Sequence, residues 1–369
     1  MKLLYLQKQF YLNYKNKKIT MKVKLRCKCY VHFCLTFIFC ALKLISVKSF
    51  SIREGERNMK KIKLILKRLL QIIPMLIIVT ILAFALSNMS SGDVAEVTIR
   101  SQGLEVTEKN VAAAREELGL NAPLHIQYIN WLKKAVKFDF GISFQTKKPV
   151  SDEILSRFPA TLKLAIAATV ISILFAIPAA LISARYKDSL IDHLFRIAST
   201  FGATLPDFWL GLMLLYVFAV QLNIFPVISG NKLQNIFLPA FTLSVNYGAI
   251  YMRVLRNNLI EITNYDYMRA ARARGLSRNA VLLKHGLKNA VLPCITLIGV
   301  DFGKLLAGQF ACETIFSWNG IGEFAIDSIK LKDLPVIQGY IMIVAVTFIA
   351  VNLLLDILYL YIDPKIQLK

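Results

Sequence analysis

The chain has 369 residues, 56% of them hydrophobic, and a formal net charge of +22; its mean hydropathy is +0.53. So much apolar content argues against a soluble globular domain, and it counts against nucleic acid as a partner, which the charge alone would suggest. Basic residues flanking apolar runs are the signature of cytoplasmic loops in a membrane protein, so an all-α, polytopic fold is expected.

Residues 1–58 differ from the rest. They hold 13 Lys and Arg against two acids, Glu54 and Glu56, which is half of the chain's net charge. They also hold Cys27, Cys29, Cys34 and Cys40. Cys27-x-Cys29 has no second ligand pair, so a zinc site is not expected. The apolar run at 31–47 is interrupted by Lys43 and is short for a membrane span. Met59 opens "MKKIKLILKRLLQIIPMLIIVTILAF", cations followed by an apolar run, and Gly55-Glu56 just before it can be encoded by the purine-rich GGAGAA of a ribosome-binding site. Residues 1–58 therefore read as translated leader before a start at Met59. Residues 59–158 read as a first span with an extracytoplasmic segment, and 159–369 as a core with five spans.

Six apolar runs suit bilayer-crossing helices, at roughly 68–88, 160–183, 197–222, 237–255, 290–312 and 338–362. Pro74, Pro178, Pro206, Pro239 and Pro293 fall in or at the ends of these runs, which membrane helices tolerate. Cations set the orientation. Lys60, Lys61, Lys63, Lys67 and Arg68 precede the first run; Arg185, Lys187 and Arg196 separate the second and third. Residues 253–288 carry eight Lys and Arg against Glu261 and Asp266, whereas 90–158 carry nine of each sign. Both termini and 253–288 are thus expected in the cytoplasm and 90–158 outside. Within the outer segment, "TEKNVAAAREELGL" predicts a helix capped by Thr107 and stopped at Gly119.

The stretch "YMRAARARGLSRNAVLLKHGLKNAVLP" (267–293) has no acidic residue. It predicts two short helices, the first ended by Gly275 in the left-handed conformation and the second capped by Ser277. Ala270, Ala271 and Ala273 permit close backbone approach. A helix docked in a protein cleft and a loop touching anionic lipid both fit these residues.

A resemblance decides between them. The pattern Tyr267, Arg269, Ala271, Arg272, Ala273, Gly275, Leu276, Ser277, His285, Leu287, Asn289, Ala290, Pro293 resembles the EAA coupling loop of bacterial ABC-importer permeases, in the form used by the dipeptide, oligopeptide and nickel group. Other segments resemble the same group: "FDFGISFQTKKPVSDEILSRFPATLKLA" (138–165), "LPDFWLGL" (205–212), "ETIFSWNGIGEFAIDSIKLKDLPVIQG" (313–339) and "DPKI" (363–366). Asn319 stands where family members usually have Pro.

The resemblance implies one permease subunit that pairs with a second homologous permease, two ATPase subunits and an extracytoplasmic solute-binding protein in the bacterial plasma membrane. Substrate would cross between the two permease bundles. The chain itself would bind no cofactor, ATP and Mg being used by the ATPases. Within the group "FDFGISFQTKKPV" looks closest to the nickel branch, so nickel, as a small chelate, is the expected substrate and a di- or oligopeptide the alternative.

No enzyme site is expected. "GVDFGKL" (299–305) is one residue too short for a phosphate-binding Walker loop, has Leu305 in place of the hydroxyl, and lies in a span. His32, His125, His193 and His285 form no ligand cluster, and Cys294 and Cys312 read as small core residues. A secondary transporter would show several paired ionisable groups at mid-membrane; beyond Asp356 only Asp301 and Lys304 stand out. At i, i+3 those two share a helix face. They can pair, and they are the candidates for the wall of a translocation path.

Overall fold

A computed structural model describes residues 70–85, 94–101, 105–117, 119–226 and 235–362. The proposed leader at 1–58, the start at Met59 and the "DPKI" ending lie outside these residues. Among the described residues the only extended pairing is one isolated antiparallel bridge, Ile142 to Pro149; everything regular is helical.

The first helix, α1, is the apolar Leu70–Ala85. The outer segment follows with α2 (Val94–Ser101), α3 (Glu108–Glu117) and α4 (Leu124–Val136). α3 begins as the sequence predicts: the Thr107 hydroxyl accepts from the Asn110 amide at 3.3 Å. It ends where Gly119 adopts φ +67°. Thr80 on α1 shares a 2.8 Å hydrogen bond with Tyr128 on α4. Phe84, Tyr128 and Trp131 make an aromatic cluster between these two helices.

A tight loop leads from α4 into α5 (Val150–Arg185). Ser143 at its tip donates to the buried Asp333 carboxylate at 2.6 Å, which pins the loop to residues far along the chain. α5 has 36 residues, about 54 Å at 1.5 Å per residue. That exceeds the ~30 Å bilayer core. The predicted span 160–183 therefore names only the apolar part of the helix, whose polar first turns lie outside it.

The predicted single span 197–222 is two helices, α6 (Leu190–Thr204) and α7 (Asp207–Gln221), meeting at 100°. The break has a local cause. Pro206 disfavours helical backbone at the residue before it, and Leu205 is extended, with φ −65° and ψ 129°. α7 closes in a π turn, Tyr216–Gln221.

α8 (Phe237–Ile262) is the central helix, packed on both α5 and α6. A Cβ on Gly248 would sit 3.3 Å from the Ser172 carbonyl of α5, so glycine permits a close approach of the two backbones. The short α9 (Asp266–Ala273) leads to α10 (Arg278–Leu306), which begins with a π segment, Val281–Gly286. The predicted span 290–312 is corrected at both ends. α10 starts within the basic stretch and stops at Leu306, where Gly308 turns with φ +91°. α11 (Phe310–Ile315), α12 (Ile321–Lys330) and α13 (Leu334–Ile362) complete the chain.

"GVDFGKL" is helix interior. Gly299 and Gly303 face α13, where a Cβ would fall 2.2 Å from Leu355 and 2.8 Å from Phe348. The glycines thus serve close helix packing. By length and composition, three helices of the described residues can cross a membrane, or four if α6 and α7 form one span.

Candidate functional site

The basic stretch folds as its local chemistry predicts. α9 ends at Ala273, Gly275 takes φ +82°, and the Ser277 hydroxyl accepts from the Ala280 amide at 3.3 Å. Nothing lies within 4 Å of a Cβ built on Gly275, so the backbone conformation alone calls for glycine there.

The two sides of α9 face different surroundings. Met268 and Ala271 are buried with Leu259, Ile262, Val281 and Leu282 in one apolar cluster. Ala271, one of the small residues expected to permit close backbone approach, packs against its own chain. Arg269, Ala270, Ala273, Arg274, Leu276 and Ser277 are exposed. Arg269 makes only a loose 3.7 Å pair with Asp266, both side chains well exposed. Other predicted site residues hold the loop in place. Arg272 donates to the Thr263 carbonyl at 2.8 Å, tying α9 back to the end of α8. Asn289 donates to the Tyr267 hydroxyl at 3.0 Å, tying α10 to α9. His285 is half-buried in the π segment and its carbonyl accepts from Asn289. Tyr265, just before α9, donates to Glu261 at 3.2 Å, and that carboxylate holds its phenol above the ordinary value. A cleft of about 280 Å³ opens beside the loop, between Leu181, Arg185 and Tyr186 of the α5 end and Asn279, Leu282 and Leu283.

Asp301 and Lys304 pair at 2.6 Å on α10. The Asp301 side chain is 7% exposed and that of Lys304 46%. The pair approaches α8, where the Tyr251 hydroxyl faces Asp301.

Sequence reasoning missed three ionisable groups inside the helical body. Asp192 on α6 accepts from Ser183 on α5 and from Arg256 on α8, so one buried carboxylate clamps three helices. Glu313 on α11 has 0% exposure and accepts from the Gln309 and Glu323 amides and from the Thr161 hydroxyl. It folds the segment 308–323 around itself: a Cβ on Gly320 would lie 2.5 Å from its carboxyl group. Asp207 opens α7 with a buried Oδ1 that has no hydrogen-bond partner among the described residues. An acid inside an apolar run was the available signal for Asp207 and Glu313. Cys294 and Cys312 are buried free thiols, as expected.

The family described as binding-protein-dependent transport system inner membrane component matches residues 176–368, and its N-terminal region matches 61–165. The glutathione transport system permease protein GsiC of Escherichia coli (strain K12) is 38% identical over 305 residues, covering 83% of this chain and 99% of that protein. GsiC of Shigella dysenteriae serotype 1 (strain Sd197) gives the same values. Among solved structures, the inward-facing MetNI methionine ABC transporter aligns with a TM-score of 0.46 at 15% identity, covering 57% of this chain and 96% of that one. The matched region contains the whole basic loop and the Asp301–Lys304 pair, and the chain belongs to the binding-protein-dependent transport system inner membrane components: it is an inner-membrane permease subunit of an ABC importer and not itself an enzyme.

Proposed function

We propose that this permease carries a short peptide or a glutathione-like thiol peptide into the cell. The observation behind this is the 38% identity to permeases named for glutathione transport across 99% of their length. Nickel, the substrate expected from "FDFGISFQTKKPV", is the second reading. That segment folds as a loop pinned to Asp333, a scaffold role that favours no substrate.

In this reading the subunit crosses the membrane six times with both termini in the cytoplasm. It pairs with a second permease, two ATPases and an extracytoplasmic binding protein. The exposed residues of α9 and of the turn after it, Arg269, Ala273, Arg274 and Leu276, seat in the ATPase. Tyr267, Arg272, His285 and Asn289 brace that face from behind, and Gly275 and Ser277 shape its turn. ATP and Mg act in the partner subunits, and this chain binds no cofactor. A half-exposed Lys304 at membrane depth is costly against lipid. That supports placing it with Asp301 on the translocation path between the two permeases.

The test is uptake in a strain deleted for this gene and complemented with it. Labelled glutathione, a dipeptide and nickel ion are offered separately. Restored uptake of either peptide is the expected result. Restoration of nickel uptake alone would overturn the peptide reading.

A further inference from the structure

We propose that the cleft between the end of α5 and the start of α10 binds an anionic phospholipid. Its phosphate faces Arg185 and Asn279, and its acyl chains lie along Ile182 and Leu283. The inference is independent of which substrate is carried.

The cleft holds about 280 Å³. That is just under the ~300–1,000 Å³ of a small-molecule pocket, room for a headgroup and not for a whole lipid. Its lining combines two chemistries. Leu282 is 4% exposed and belongs to the apolar cluster that joins α5 to α10. Ile182 and Leu283 are 41% and 55% exposed. Leu174 and Phe175, two turns before Ile182 on the same side of α5, are also exposed. An exposed apolar stripe of a membrane-crossing helix thus runs into the cleft. Arg185, Tyr186 and Asn279 supply the polar lining. The Arg185 guanidinium lies 5.8 Å from the Tyr186 ring centroid and makes no ion pair among the described residues. Lys187, Arg278 and Lys284 each adjoin a lining residue in the chain and are exposed, and 278–288 holds no acid.

An unpaired guanidinium beside exposed apolar side chains is matched by a ligand that is anionic at one end and alkyl at the other. A guanidinium donates two parallel hydrogen bonds to a phosphate. Asn279 lies in the first turn of α10, where the helix dipole favours an anion. Arg185 itself offsets the negative end of α5. Basic pockets between membrane helices suit anionic headgroups for these reasons. A soluble phosphate would use the cations and leave Ile182 and Leu283 in water. A zwitterionic lipid brings the same phosphate, but its own cation competes with Arg185 for it. The residues proposed to meet the ATPase, Arg269, Ala273, Arg274 and Leu276, are not among those lining the cleft.

The test uses the importer assembled with its partner subunits in phosphatidylcholine nanodiscs. These carry a trace of photoactivatable phosphatidylglycerol or, separately, of photoactivatable phosphatidylcholine, with the reactive group near the glycerol end of an acyl chain. Labelled peptides are identified by mass spectrometry. Phosphatidylglycerol is expected to label 181–186 and 279–283 about fivefold more than phosphatidylcholine, the preference that one cation near the membrane surface gives. Arg185→Ala should reduce it to the phosphatidylcholine level. Lys330→Ala, which removes an exposed cation of α12, should leave the preference intact; an equal fall there would mean general charge attraction and overturn the site. Excess inorganic phosphate should not compete, and competition by it would overturn the lipid in favour of a soluble phosphate. Equal labelling by the two lipids overturns the proposal, including no labelling by either where a partner subunit covers the cleft. So does an unchanged preference in an assembled Arg185→Ala complex. If Arg185→Ala does not assemble, Leu283→Glu carries the test, because it adds an acid at an exposed position: loss of the preference supports the site, and a wild-type preference overturns it.

Discussion

Replacing Asp192 with Leu would leave the Arg256 guanidinium stranded. In the native protein Nε of Arg256 reaches Asp192 Oδ1 at 2.6 Å and Nη2 reaches Oδ2 at 2.5 Å. The side chains are 10% and 0% exposed, so water cannot replace the lost partner. Breaking a buried pair from one side costs about 3–5 kcal/mol, roughly a hundredfold to a few thousandfold in the folded fraction. Removing both charges, as in Asp192→Leu with Arg256→Met, should be close to neutral, because no charge is left buried. Asp266→Ala is the internal control. It removes the partner of Arg269, but that pair is 3.7 Å apart and its side chains are 70% and 99% exposed, so it should cost no more than about 1 kcal/mol. The assay is the midpoint of heat-induced loss of the monodisperse peak for detergent-solubilised, fluorescently tagged protein. The single Asp192 variant should fall far below the wild type, while the double variant and the Asp266 control stay near it. A double variant as unstable as the single one would refute the reasoning.

Gly275→Val forces a β-branched residue to φ +82°, at a cost of about 1–2 kcal/mol. It should insert normally but fail to co-purify with the ATPase, and wild-type co-purification would count against the coupling assignment. Ala271→Trp and Ala273→Trp should part ways, since only Ala271 is buried in the apolar cluster. The first should lose yield of folded protein; the second should fold and lose the ATPase, as read by size exclusion and pull-down. Asp301→Asn with Lys304→Gln removes both charges of a pair held at 2.6 Å. The double variant should insert yet transport more slowly, and wild-type uptake kinetics would assign the pair to packing alone.

Where local chemistry decides, the sequence was readable. The stop at Gly275, the cap at Ser277 and the Thr107–Gly119 helix each depend on a few neighbouring residues, and each lies where its residues imply. Apolar runs located the membrane-depth part of α5 and α13 but not their full lengths, because a helix continues past the apolar core wherever its backbone bonds are satisfied. Pro206 was read as a tolerated proline. Whether a proline bends a span or splits it depends on what packs around the break, which no local window contains. The Asp192–Arg256 clamp joins residues 64 positions apart, and the Glu313 cage draws on Thr161, 152 positions away. Such partners are set by the bundle and leave no periodic trace. Ala271 shows the converse limit. Small residues mark a close approach, but the pattern does not say whether the neighbour is another subunit or the same chain.

α10 joins the two ends of the proposed mechanism in one piece. It runs 29 residues from Arg278, beside the basic loop, to Leu306, just past Lys304. At 1.5 Å per residue that is a rod of about 42 Å. A tilt of about 10° around its middle would move each end by roughly 3.6 Å in opposite directions, a lever with arms of about 21 Å. A push at the Arg278 end would then arrive at Asp301 and Lys304 as a shift of roughly 2–3 Å that carries the pair as a unit, because both stand on α10. Gly299 and Gly303, nested against Leu355 and Phe348 of α13, keep the far half of the rod in close contact with that helix. Stiffness in α10 is therefore a transmission property, and a variant that softened it near Pro293 would disconnect the two ends while leaving both intact.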